Sequence, residues 1–175
     1  MIFIVIYVSR NPKDVLVSSF HFQQMASFLH DPGTLEEFAD QFLALNVIFG
    51  KWTDHVKSWR NMDLGDRIFY ITYLMELLND LRGELLMKML FFLGKCLSKD
   101  VLNRVTEHCE FRSMKQNKMS NYSLVPEALM DTKKSSFLRK GNVGDWRNYF
   151  SPELESKFNT AICEELNGSD IKFPI

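Results

Sequence analysis

Two segments carry residue types that could do chemistry. Tyr7-Val-Ser-Arg-Asn-Pro-Lys-Asp-Val-Leu-Val-Ser-Ser-Phe-His-Phe22 puts Arg10 and Lys13 at a chain turn, with Ser18 behind them. Phe137-Leu-Arg-Lys-Gly-Asn-Val-Gly-Asp-Trp146 puts Arg139 and Lys140 beside two glycines. Arginine offers a planar fork of donors and lysine a point charge, and both suit phosphate oxygens. Glycine lets backbone N–H groups come close to an anion. Two such segments, far apart in sequence, point to one anion site assembled from both.

The elements that must position them follow from local signals. Ile2–Val8 is β-branched and apolar and reads as a buried strand. It runs into a helix that Asn11 can cap, with Pro12 at the first helical position and Asp14 in the first turn, where the helix dipole favours acid. A strand that feeds a helix through a polar turn is the usual setting for phosphate, because the helix N-terminus presents free N–H groups. Asp31-Pro-Gly33 reads as a turn, and Thr34 with Glu37 as a capping box. Phe38, Phe42, Leu45, Phe49, Trp52, Val56 and Trp59 then recur four and three apart, the stripe of one buried helix face. Arg67–Tyr73 reads as a second strand and Leu81–Leu93 as a helix closed by Gly94. Ser98 caps a further helix, with Val101, Leu102, Val105 and Cys109 on its apolar side. Phe111–Gly144 shows little periodicity and reads as a long functional loop region. Ser151 opens a last helix with Leu154, Phe158, Ile162 and Leu166 inward.

Composition narrows the function classes. The chain has 175 residues, is 46% hydrophobic and 25% charged, and has a net charge of −1. That describes one globular domain over residues 1–175, with no broad surface for nucleic acid or membrane. Any anion site must therefore be local. Three cysteines without a C-x-x-C pair argue against a disulfide framework or a metal site. They fit a reducing, cytoplasmic setting. Cys109 reads as a small buried apolar residue rather than a reactive thiol.

Tyr7–Phe22 resembles the phosphate-binding strand–turn–helix of the cytosolic sulfotransferases. Phe137–Gly141, followed by Gly144-Asp-Trp146, resembles that family's C-terminal cofactor signature. Asn117–Tyr122 and Val125-Pro126 fit between them in the same order. Among branches, the chain looks closest to the vertebrate group numbered six. The resemblance implies an α/β fold: part of a three-layer α/β/α domain with a parallel sheet, related to P-loop kinases. It implies transfer of a sulfuryl group from 3′-phosphoadenylyl sulfate to a hydroxyl or amine of a small-molecule acceptor, without a metal. By the same resemblance, Arg10 and Ser18 hold the 3′-phosphate together with Arg139, Lys140 and the backbone at Gly141. Tyr73, Cys109, Phe111 and Phe137 fall at cofactor positions, and Phe22, Tyr122 and Leu129 at acceptor positions.

The resemblance also assigns the family's catalytic histidine, its 5′-phosphosulfate loop and its adenine-stacking tryptophan to a portion preceding the strand that opens this chain. His21, His30, His55 and His108 match no catalytic motif. No catalytic residue is therefore assigned, and the chain is expected to be inactive alone. The family's dimer motif is degraded here, at Arg147, Ser151, Pro152 and Ser156. Two alternatives stay open: a non-catalytic nucleotide-binding or interaction protein, and a truncated product without independent function.

Overall fold

The computed structural model describes residues 3–73 and 83–171. Two strands, β1 (Val5–Arg10) and β2 (Ile68–Tyr73), pair in parallel, with Tyr7 opposite Tyr70 and Arg10 opposite Tyr73. A parallel pair needs a crossover, and three helices supply it. These are α1 (Pro12–Met25), α2 (Leu35–Leu43) and α3 (Trp52–Asn61). After β2 come α4 (Glu84–Phe92), α5 (Lys99–Cys109) and α6 (Phe111–Gln116). A 3₁₀ turn at Asp145–Asn148 leads to α7 (Pro152–Leu166).

Side-chain caps explain the starts of α1, α2 and α7. The Asn11 side chain accepts from the Lys13 N–H at 2.9 Å, so the turn after β1 is capped as its sequence suggests. At α2 the capping box closes in both directions between Thr34 and Glu37. Ser151 caps α7 by accepting from the Leu154 N–H. The core gathers where the apolar stripes meet. It unites Leu16, Val17 and Phe20 of α1, Phe38 and Phe42 of α2, Trp52 and Val56 of α3, and Leu154, Phe158, Ile162 and Leu166 of α7. Each such side chain fully removed from water contributes about 1.5–3 kcal/mol. That burial holds α1 in place, and α1 carries one wall of the site.

Several expectations change. The first strand spans Val5–Arg10, so it begins after Ile4 and Arg10 is itself its last residue, while the expected start at Ile2 lies outside the described residues. The second starts at Ile68, because Gly65–Arg67 forms a 3₁₀ turn. The stripe from Phe38 to Trp59 is carried by two helices, not one. The chain leaves α2 after Leu43, turns through left-handed Leu45 (φ 71°) and Gly50 (φ 69°), and restarts at Trp52. Phe49, in that connection, is exposed rather than buried. The α4 start expected at Leu81 lies outside the described residues, and the helix described begins at Glu84. On α5 the buried residue is Thr106, while Val105 and Cys109 are exposed, so Cys109 is not a core residue. The region 111–144 is not wholly loop, since Phe111–Gln116 forms α6.

Candidate functional site

Ser18, His21 and Phe22 share one face of α1, because residues three and four apart on a helix are neighbours. That face, the end of β1 and the segment 135–142 enclose a cavity of about 330 Å³. Arg10, Ser18, Phe22, Phe111, Phe137, Arg139, Lys140 and Gly141 all line it. The two segments singled out by residue type therefore meet, although more than 100 positions separate them. Arg10 reaches across and donates from Nη2 to the Asn142 carbonyl at 3.2 Å. Phe22, Arg10 and Ser18 also line a second, mostly apolar cavity of about 460 Å³ with Tyr7, Phe38, Phe42, Phe49 and Trp52.

The segment 139–146 is held by carboxylates. Asp14, buried in the first turn of α1, accepts from the backbone N–H of Gly144 at 2.7 Å and of Trp146 at 3.2 Å. The second carboxylate, Asp145, accepts from Arg139 Nη2 at 2.7 Å, Lys140 Nζ at 2.8 Å and Asn148 Nδ2 at 2.8 Å. Burial disfavours the Asp145 charge, but the hydrogen bonds from Lys140, Arg139 and Asn148 outweigh burial and hold its pKa at about 2. Behind this loop Lys13 is buried over the Trp146 ring, 3.7 Å from its centre, and pairs with Glu155 at 2.8 Å. These contacts fix the loop before any ligand arrives.

Gly141 shows how tightly the loop is fitted. Its φ is 68°, which glycine adopts without strain, and a Cβ there would lie 2.3 Å from the Phe111 ring. The backbone at Gly141 therefore packs directly against the Phe111 ring, with no space for a side chain between them. Arg139, Lys140, Ser18 and Arg10 supply charged and neutral donors toward one volume. This donor set suits a phosphate monoester.

The remaining expected residues are distributed as follows. Tyr73 ends β2 beside Arg10 in register. Cys109 ends α5, exposed, and is not among the residues lining either cavity described above. Tyr122, at φ 60°, stacks on Phe137 with ring centres 3.8 Å apart. Leu129 is exposed, and its carbonyl accepts from the Ser27 N–H at the end of α1. Residue types alone missed three participants. Asp14 reads as a dipole partner, yet its carboxylate bonds to N–H groups 130 and 132 positions away. His21 and Tyr149 bond to each other at 3.0 Å behind Arg139. The one available signal was His21 falling on the same helix face as Ser18.

The comparisons with known proteins decide the family. A model described as "Sulfotransferase domain" matches residues 4–170. The chain belongs to the sulfotransferase family. It is 43% identical to mouse Sulfotransferase 2B1 over 170 residues, covering 97% of this chain and 49% of that protein. To mouse Sulfotransferase 1B1 it is 42% identical over 168 residues, covering 96% of this chain and 56% of the relative. Retinol dehydratase, solved with androsterone and the inactive cofactor PAP, superposes with a TM-score of 0.85 at 29% identity, over 98% of this chain and 49% of the other. Mouse sulfotransferase SULT7A1, solved with PAP, gives 0.80 at 31% identity, over 96% of this chain and 59% of the other. The chain thus spans about half the length of the curated relatives it matches. These names fix the family and the α/β fold with its parallel strands; none of them carries the group six branch.

Proposed function

We propose that this chain provides the 3′-phosphate end of a sulfotransferase nucleotide site. Arg10 and Ser18, from the β1–α1 segment, and Arg139, Lys140 and the backbone at Gly141 bind the 3′-phosphate of 3′-phosphoadenylyl sulfate. Phe111 and Phe137, which line the cavity, flank the nucleoside, with Tyr73 and Cys109 assigned to it by the resemblance alone. The observation that carries this reading is the convergence of both basic segments on one cavity. When bound, the cosubstrate supplies an activated sulfuryl group for an acceptor hydroxyl or amine. The chain's own residues contribute binding and orientation, which convert a two-body encounter into a positioned one.

The acceptor in this reading is a small apolar alcohol or amine. Support comes from the apolar cavity that shares Phe22 and Arg10 with the cationic one. Tyr122 and Leu129 are assigned to the acceptor side by the resemblance alone, since neither lines that cavity. Retinol dehydratase has been solved with androsterone and with retinol, both alongside PAP. The resemblance places the protein in the cytoplasm in this reading. No helix among the described residues is long and apolar enough to cross a membrane.

The test is calorimetric titration of the purified chain with adenosine 3′,5′-bisphosphate, preceded by a melt. Saturable binding is expected, weakened about 10- to 100-fold by Arg139→Ala, the cost of a charge-assisted hydrogen bond. Binding unchanged in that variant would refute the assignment. The same preparation is expected to show no sulfuryl transfer to phenolic or steroid alcohols, and a measurable turnover would overturn that part. A second reading, nucleotide binding without catalysis, is favoured by His21: it lines the cavity, but its ring nitrogen is already bonded to Tyr149.

A further inference from the structure

His21, Tyr149 and Arg139 form a chain of contacts behind the cationic wall. His21 lines the cavity one helical turn beyond Ser18. Its Nε2 lies 3.0 Å from the Tyr149 hydroxyl, and the two rings meet edge to face at 5.4 Å. The same hydroxyl accepts from Arg139 Nη1 at 3.1 Å, while Arg139 Nη2 donates to Asp145 at 2.7 Å. The guanidinium fork is thus fixed at two points, one a carboxylate and the other a phenol that His21 holds.

We propose that His21 is a positioning residue of this site, orienting Arg139 through Tyr149 and taking up a proton when a phosphate dianion binds. This inference rests on the nucleotide reading above. The proton comes from solvent and goes to a ring nitrogen of His21; no bond to the ligand forms or breaks.

The groups facing His21 from each packed element set the sign. On its own helix lie the edge of the Phe20 ring and the Gln24 side chain. From 139–149 come Tyr149, the cations Arg139 and Lys140, and Asp145. Burial comes first and then Arg139 in pushing the His21 pKa below its ordinary value, against smaller opposing effects of Gln24 and Asp145. At neutral pH the imidazole is therefore uncharged. A dianion seated against Arg139 and Lys140 cancels their repulsion, so proton binding becomes easier in the complex than in the free chain. Either protonation state keeps the contact with Tyr149: neutral Nε2 accepts from the hydroxyl, and protonated Nε2 donates to it. Proton uptake thus adds charge without releasing Arg139.

The probe is adenosine 3′,5′-bisphosphate, titrated calorimetrically from pH of about 5.5 to about 8, the range in which histidine changes charge. Wild type and His21→Gln are compared in two buffers of different ionisation heat. Wild type is expected to take up part of a proton on binding near pH 6.5 and the variant none. The wild-type advantage in affinity should grow about tenfold toward the acid end, one unit of pKa change being tenfold in binding. The ligand's own phosphate also titrates near pH 6, but equally in both proteins, so the difference isolates His21. Tyr149→Phe should weaken binding at every pH, because Arg139 loses one acceptor. Equal pH profiles in wild type and His21→Gln would overturn this inference while leaving the nucleotide reading intact. Absence of saturable binding at any pH would overturn both. Should the glutamine variant fail to fold, NMR titration of the wild-type imidazoles decides: the His21 pKa must rise on ligand addition, and an unchanged value overturns the proposal.

Discussion

The cationic cavity and the apolar cavity share Arg10, Ser18 and Phe22, yet their walls are made in different ways. In the cationic one, the shape is set by directional bonds. Asp14 fixes the backbone at Gly144 and Trp146, Asp145 fixes Arg139 and Lys140, and Gly141 packs against the Phe111 ring. In the apolar one, side chains of β1, α1, α2 and α3 meet mainly by packing, with a hydrogen bond between Tyr7 and His55, and the rim carries the exposed Ile48 and Phe49. Directional bonds hold a charged ligand's donors in place before it binds, which removes part of the ordering cost. An apolar wall has no such preset geometry and takes its shape from whatever packs against it.

Breaking the Asp14 clamp should have the largest effect. Asp14→Ala leaves two backbone N–H groups without their acceptor and removes a buried charge-assisted pair, a loss of roughly 3 kcal/mol. Urea denaturation should read that loss, and nucleotide affinity should fall as the 139–146 loop loosens. A variant as stable as wild type would mean that the loop is held by packing, as the apolar wall is.

Acid should sharpen the contrast. The Asp145 pKa lies at about 2, below its ordinary 3.8, so its contribution to stability is fully present above about 4 and is lost as pH falls toward 2. Denaturation midpoints measured from pH about 5 to about 2 should show a decline that Asp145→Asn lacks. Equal declines in both proteins would assign the acid sensitivity to other carboxylates.

Phe49→Ser should do least. Phe49 is 83% exposed at the rim of the apolar cavity. Its replacement should change stability by less than about 0.5 kcal/mol and leave nucleotide affinity unaltered, as surface substitutions generally do. A melt and one titration check both, and weakened nucleotide binding would show that the two cavities are coupled.

The chain's local chemistry was legible wherever neighbours in sequence are also neighbours in space. The Asn11 and Ser151 caps, the Thr34–Glu37 box and the inward stripe of α7 are i, i+2 to i, i+4 relations, and they stand in the structure as the residues suggest. The pairing of the 7–22 and 137–146 segments was legible through residue type and resemblance together. The break between α2 and α3 was not, because apolar spacing continues across a connection that leaves the helix at Leu45 and Gly50. Nor was the exposure of Cys109, which depends on what α5 packs against. What only the tertiary structure decided is which charges meet. Asp14 reads as a helix-dipole acid and acts as a clamp on a loop 130 positions away, and His21 meets Tyr149, 128 positions on. Sequence fixes short-range geometry through backbone preferences, whereas electrostatic partnership falls off with distance in space and is blind to distance along the chain.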